Sequence, residues 1–179
     1  MIIQFCGMSG AGKSTLARIA EQKLKAAGCP VEVLDGDDCR RYLFKELGMS
    51  REDRAENIRR LAWLAHRFSR HGILTIICAI NPLDAIRQEI AREFRIAATV
   101  QIDCALEELI RRDTKGLYKR AFLPDGHPDK IYSLSGVNGV FEYPLTPDLL
   151  IHTDRESEAE SGQRLYEFLL PLAIGLAVR

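Results

Sequence analysis

An α/β fold built on a mostly parallel sheet is predicted by three features of this 179-residue chain. Apolar, β-rich runs recur at residues 2–6, 31–34, 73–80, 99–102 and 149–152. Most of the intervals between them carry helical periodicity, the alternation expected of parallel strands joined by crossover helices. Between the first run and the first amphipathic stretch stands Gly7-Met8-Ser9-Gly10-Ala11-Gly12-Lys13-Ser14, which fits the phosphate-binding pattern G-x-x-x-x-G-K-[ST].

Each element can be read in order. Residues 2–6 form a buried strand that delivers the chain to the loop. In the loop, Gly7, Gly10 and Gly12 let successive N–H groups turn inward, where side chains would block a phosphate. Lys13 adds a positive charge for the terminal phosphates, and the hydroxyl of Ser14 is placed to ligate Mg²⁺. The helix that starts there, with Leu16, Ile19, Ala20, Lys23 and Leu24 at helical spacing, turns its positive dipole end to the same place. The second strand ends in Asp35-Gly36-Asp37-Asp38. Ser50 followed three residues later by Asp53 is a capping box and opens a long helix over residues 51–70. Residues 72–80 show almost no polar alternation, as in a strand covered on both faces, and predict a central strand ending at Asn81-Pro82. The fourth strand ends at Asp103-Cys104. Ligands of such sheets bind beyond the carboxyl ends of the strands, so these polar groups converge on one edge. Residues 122–147 are irregular and proline-rich, the character of a lid or binding loop.

Composition bounds the rest. The length suits one domain, residues 1–179, and 46% hydrophobic with 28% charged residues is globular composition. Twenty-five basic residues balance 25 acidic ones, so no charge field favours a nucleic acid or an anionic membrane. The five cysteines lack C-x-x-C spacing and read as reduced core thiols. The amino terminus leads as a strand straight into the phosphate loop, so a cytoplasmic location is expected. The apolar tail 168–178 is far shorter than the roughly 20 residues of a spanning helix and is expected to close the fold on the sheet.

The chemistry follows from what surrounds the loop. Asp35 and Asp37 flank a glycine after a strand, so two carboxylates can face the loop together: one on the Mg²⁺ side, one to accept a hydroxyl proton. Arg40, Arg54 and Asn57 supply donors for an acceptor with its own anionic group, and Arg54 and Asn57 lie three apart on one helix face. The cations from Arg111 to Arg120, ending around Gly116-Leu117-Tyr118, read as a lid that brings positive charge onto a transferring phosphoryl group. A regulatory nucleotide switch would leave these groups unexplained, and the chain has no guanine-reading N-K-x-D run.

In their order, these residues resemble the adenylylsulfate (APS) kinase family over nearly the whole chain. The motifs that carry the resemblance are the phosphate loop, Leu34 to Arg40, Leu47 to Arg60, Ile80 to Pro82, Arg112 to Ala121, Leu134 to Asn138 and Pro144 to Pro147. The resemblance implies a P-loop kinase-like three-layer sandwich with a five-stranded parallel sheet and a lid over about residues 112–147. It implies transfer of the γ-phosphoryl of MgATP to the ribose 3′-hydroxyl of adenosine 5′-phosphosulfate, giving PAPS, and family kinases are often homodimers. By position, ATP would contact Gly7, Met8, Ser9, Gly10, Ala11, Gly12, Lys13, Ser14, Thr15 and Arg112. Asp37 would be the base and Asp35 its Mg²⁺-side partner with Ser14. Lys13 and Lys115 would assist catalysis, and Arg40, Met49, Arg54, Asn57, Ile80, Asn81, Lys115 and Leu134 would surround the acceptor with the two aspartates. Departures cluster at the acceptor base. Two phenylalanines that sandwich adenine in the family correspond to Met49 and Leu134, the serine of I-S-P is Asn81, Asp38 and Asn138 replace usual residues, and the lid between Ala121 and Leu134 is about five residues longer. Relatives of the family phosphorylate cytidine diphosphoramidate in capsular polysaccharide modification, so adenylyl and cytidylyl acceptors both fit.

Overall fold

The computed structural model describes residues 1–177; Val178, the end of the apolar tail, lies outside them. Five parallel strands, β1 (Ile2–Cys6), β2 (Val31–Asp35), β3 (Leu74–Cys78), β4 (Ala98–Asp103) and β5 (Leu149–His152), form one sheet in the order β2-β3-β1-β4-β5. The helices are α1 (Lys13–Ala26), α2 (Gly36–Tyr42), α3 (Arg51–Ser69), α4 (Asp84–Phe94), α5 (Leu106–Arg112), α6 (Leu117–Ala121) and α7 (Glu158–Ala177). The middle position belongs to β1; β3, expected to be central, is interior between β2 and β1 and buried along its whole length.

The period-two alternation of the strands sorts two cores onto opposite faces. Ile3, Phe5, Leu74, Ile76, Val100 and Ile102 face α1 and α7, whereas Ile2 and Ile77 face α3 and α4. This is the expected three-layer sandwich. Helix α1 buries Leu16, Ala17, Ala20 and Leu24, one stripe at 3.6-residue spacing. Helix α3 starts as its capping box predicts: the Ser50 hydroxyl accepts from the Asp53 N–H at 3.0 Å. The apolar tail is the second half of α7, whose Leu165, Leu169 and Ala173 are buried against the α1 side. Among the described residues no helix is long and apolar enough to cross a membrane.

Residues 122–148 contain no helix or strand beyond an isolated bridge between Ser135 and Gly139. They are nonetheless tied down, because Glu142 N–H donates to the Pro82 carbonyl at 2.8 Å and the Arg87 guanidinium to the Glu142 carbonyl at 2.6 Å.

Helices α1 and α7 approach tightly at Gly162, where a Cβ would lie 2.7 Å from Cγ2 of Ile19. Gly162→Ala raises helix propensity by about 1 kcal/mol but forces a clash at a stiff β-branched side chain costing about 1–3 kcal/mol. The clash wins: thermal denaturation of the variant is expected to show a lower Tm than the wild type, and adding Ile19→Ala is expected to relieve most of the strain part of the loss.

Candidate active site

The phosphate loop is shaped by what it cannot carry. A Cβ on Gly7 would lie 2.2 Å from the Ile102 carbonyl oxygen of β4, and Gly7, Gly10 and Gly12 all have positive φ, at 155°, 77° and 94°. Neighbouring segments clamp the loop. Gly7 N–H donates to the Ile80 carbonyl at 3.2 Å. The Tyr118 hydroxyl donates to the Ser9 carbonyl at 2.7 Å, and burial pushes that phenol up to about 12, keeping it a donor. The Thr153 hydroxyl donates to the Ala11 carbonyl at 3.0 Å. Met8 is buried under Gly136, where a Cβ would meet its sulfur at 2.0 Å.

Beside the loop opens a cavity of about 670 Å³ bounded by the ends of β2 and β3, the first turns of α2 and α3 and the lid. Of the residues singled out from sequence, Ser9, Gly10, Gly12, Lys13, Ser14, Thr15, Asp35, Asp37, Arg40, Met49, Arg54, Asn57, Ile80, Asn81, Lys115 and Leu134 line it. Gly7, Met8, Ala11 and Arg112 do not. The first three are the buried underside of the loop. Arg112 turns instead to the Thr153 carbonyl at 2.7 Å and Glu108 at 2.8 Å, behind the loop.

The Ser14 hydroxyl donates to Asp35 Oδ2 at 2.7 Å, and Asp35 Oδ1 accepts from the Asp37 N–H at 2.9 Å. The carboxylate pair does not arise from strand alternation: Asp35 caps α2 and Asp37 sits in its first turn. Asp37 in turn meets Lys115 of the lid at 2.5 Å, so this ion pair spans the mouth of the cavity. Lys13 is buried, its ammonium turned back to the Met8 carbonyl at 2.8 Å, and burial pulls its pKa below the ordinary lysine value.

The two arginines expected to grip an acceptor are engaged with the cavity wall. Arg40 donates to the carbonyls of Leu47 (3.3 Å), Gly48 (2.8 Å) and Asp53 (3.4 Å). Arg54 donates to the Met49 carbonyl (3.0 Å), the Ser133 carbonyl (2.6 Å) and the Ser135 hydroxyl (2.9 Å). Arg54 thereby joins α3 to the lid. Asn57, one turn further along the same helix face, is buried with Oδ1 lacking a partner. Asn81 holds the other wall. It is buried with φ 47°, a backbone asparagine tolerates better than most residues, and donates through Nδ2 to Gln4 Oε1 at 3.0 Å. Its own carbonyl takes the buried Arg87 guanidinium at 2.7 Å. Met49 is 60% exposed at the rim, whereas Leu134 is buried. Asn138 makes the lid turn that positions Leu134, accepting from Leu134 N–H at 2.8 Å and donating to the Ile131 carbonyl at 2.6 Å, which an aspartate could not do.

Sequence reasoning missed Ile58, Cys78, Ala79, Ile131 and Ser133 as lining residues and did not single out Arg120 within the lid cations. Ile58 was within reach, four residues after Arg54 on one face. Arg120 lies in the cation run, but nothing local showed that it turns to the cavity.

Fold and site together define a phosphate-loop phosphotransferase: a parallel sheet presents the loop beneath a cation-lined cavity that carries two carboxylates. A family model described as adenylylsulphate kinase matches residues 1–152. The adenylyl-sulfate kinase of Picosynechococcus sp. is 39% identical over 170 residues, 95% of this chain and 93% of that one. That of Chloroflexus aurantiacus is 39% identical over 178 residues, covering 99% and 93% of the two chains. The structure of the Mycobacterium tuberculosis APS kinase CysC in complex with AMPPNP and APS superposes with a TM-score of 0.84 at 35% identity over 94% of this chain and 96% of that one. The chain belongs to the adenylylsulphate kinase family.

Cys78, at the end of β3, lies 3.7 Å from the Ser14 hydroxyl, and burial pushes its thiol up to about 11. At pH 8 only about one molecule in a thousand would hold it as thiolate, the reactive form. All five cysteines are free and buried. Titration with a disulfide reagent at pH 8 is expected to label the native protein slowly and all five thiols promptly in denaturant; rapid native labelling at Cys78 would show that the cavity floor opens.

Proposed function

We propose that the protein transfers the γ-phosphoryl group of ATP to the 3′-hydroxyl of adenosine 5′-phosphosulfate, giving PAPS and ADP. The observation that carries this reading is the juxtaposition, in one cavity, of the phosphate loop with the Ser14–Asp35 contact and the Asp37–Lys115 pair. Family membership and the APS-bound relative point to the same acceptor. The phosphate loop and Lys13 hold the triphosphate. Asp37 accepts the proton as the 3′-oxygen bonds to the γ-phosphorus and the bond to the bridging oxygen of ADP breaks. Lys115, released from Asp37 as the acceptor enters, faces the charge on the transferring group. Asn81 has no hydroxyl to phosphorylate and is locked against Gln4, so transfer is direct.

The residues present suit Mg²⁺. Ser14 and Asp35 offer hard oxygen donors 2.7 Å apart, and among the described residues no group of three or more His, Cys, Asp or Glu could hold a metal alone. That fits an ion shared with nucleotide phosphates and water. When bound, the ion supplies charge neutralisation at the phosphates.

One observation favours a second acceptor base. Among the described residues no aromatic side chain lines the cavity, so Met49, Leu134, Ile58 and Ile80 would hold the base by aliphatic contact alone. A cytidylyl acceptor, as in cytidine diphosphoramidate, needs less stacking area than an adenine.

Incubation with labelled ATP and a panel of nucleotide acceptors tests both readings, with label expected on adenosine 5′-phosphosulfate; label on the cytidylyl compound alone would overturn the first. Asp37→Asn is expected to lower kcat by on the order of 10²–10⁴ with ATP binding retained. Lys13→Ala is expected to lower kcat/KM by about 10²–10³. It also removes one of the two donors to the Met8 carbonyl, which keeps the Ala11 N–H at 3.3 Å, a stability loss of about 0.5–1.5 kcal/mol that thermal denaturation would register.

The base is tested separately. Met49→Phe with Leu134→Phe is expected to raise kcat/KM for the adenylyl acceptor relative to the cytidylyl one by about tenfold or more, since a stacked base gains about 1–3 kcal/mol. Leu134 is buried, so the second substitution also lowers Tm. An unchanged ratio would show that these positions do not select the base.

A further inference from the structure

We infer that Arg120 is an anion-binding residue of the acceptor side of the cavity, held out for that purpose by the lid loop of residues 122–133. The inference rests on the phosphosulfate acceptor proposed above and adds a contact to it. Five cations line the cavity: Lys13, Arg40, Arg54, Lys115 and Arg120. Four of them are committed within the protein. Lys13 is bonded to the Met8 carbonyl, Arg40 and Arg54 to carbonyls and hydroxyls of the wall, and Lys115 is neutralised by Asp37.

Arg120 differs. Its Nε donates to the Asp129 carbonyl at 3.0 Å, and its terminal nitrogens have no hydrogen-bond partner among the described residues. No described carboxylate pairs with it; Asp125, on the same loop, is paired with Lys130 at 2.8 Å. A guanidinium fixed at Nε leaves a planar two-pronged donor, the geometry that matches a phosphate or sulfate edge.

The loop fixes where that fork sits. The Arg120 carbonyl accepts from Ile131 N–H at 3.2 Å, so side chain and backbone are both clipped to the loop. Lys130 braces the loop from within by donating to the Leu123 carbonyl at 2.7 Å. Ile131 and Ser133 line the same cavity, and Ser133 is the residue gripped by Arg54. Arg120 is thereby clipped to the loop whose Ser133 is gripped by Arg54 of α3, whereas Lys115 pairs with Asp37. The fork takes the anionic group on the acceptor's 5′ side.

Steady-state kinetics of wild type, Arg120→Gln and Arg120→Lys with adenosine 5′-phosphosulfate and ATP test this. Arg120→Gln keeps an amide donor for the Asp129 carbonyl but removes the charge. It is expected to raise KM for adenosine 5′-phosphosulfate about 10- to 100-fold, the loss of a charge-assisted bond, with kcat and the KM for ATP within about twofold. Arg120→Lys is expected to recover part of that affinity, and the KM difference between wild type and Arg120→Gln is expected to shrink in high salt. A variant with an unchanged acceptor KM, or with an ATP KM raised as much, would overturn the assignment. Wild-type protein that does not turn over adenosine 5′-phosphosulfate would instead overturn the acceptor reading, and this inference with it.

Discussion

The turn out of β1 at Gly7 is the constraint on which the rest of the site depends. The Ile102 carbonyl of β4 occupies the space a Cβ would need, so the chain can leave the sheet at that angle only without a side chain. Once the loop is set, its outward carbonyls become docking points. Tyr118 reaches it from α6, Thr153 from the end of β5, and Gly136 closes on Met8 from the lid. Each contact fixes a distant segment relative to the loop. The loop is therefore the hub that gives the irregular lid a defined place, as well as a cradle for the nucleotide.

Cations and carboxylates in the cavity are distributed by commitment as much as by count. Burial makes an unpaired charge costly, and the deeper groups are accordingly bonded: Lys13 to a carbonyl and Arg54 to the lid, while behind the cavity wall the buried Arg87 bonds the carbonyls of Asn81 and Glu142. The exposed pair Asp37–Lys115 is different, since solvent screening keeps it weak and easy to open. A strong hold on the walls and a weak latch across the mouth suit a cavity that must keep its shape while admitting a charged acceptor.

The substitutions at the acceptor side are structurally coherent. Asn81 occupies a left-handed backbone position and joins a buried amide network through Gln4, which in turn donates to Thr99 at 2.9 Å. Asn138 uses both ends of its amide to close the turn that presents Leu134. The Asn138 amide donates and accepts at once, whereas the Asn81 side chain only donates, its buried Oδ1 lacking a partner. Neither role is visible in a motif, where they stand only as departures.

The sequence by itself determined the α/β class, the five strands to within a residue or two at most ends, the capping box of α3 and the phosphate loop. These are local: each rests on periodicity or on residues a few positions apart. It also named most of the lining residues, because the ends of parallel strands converge on one edge whatever their order. Tertiary structure alone decided which strand is central, that Arg40 and Arg54 hold walls, that Arg112 turns behind the loop and that the exposed Arg120 borders the cavity. Each outcome depends on a carbonyl or hydroxyl tens of residues away, such as Ser133 for Arg54 or Thr153 for Arg112. A charged side chain takes whichever partner packing brings within reach, and no local pattern records that choice.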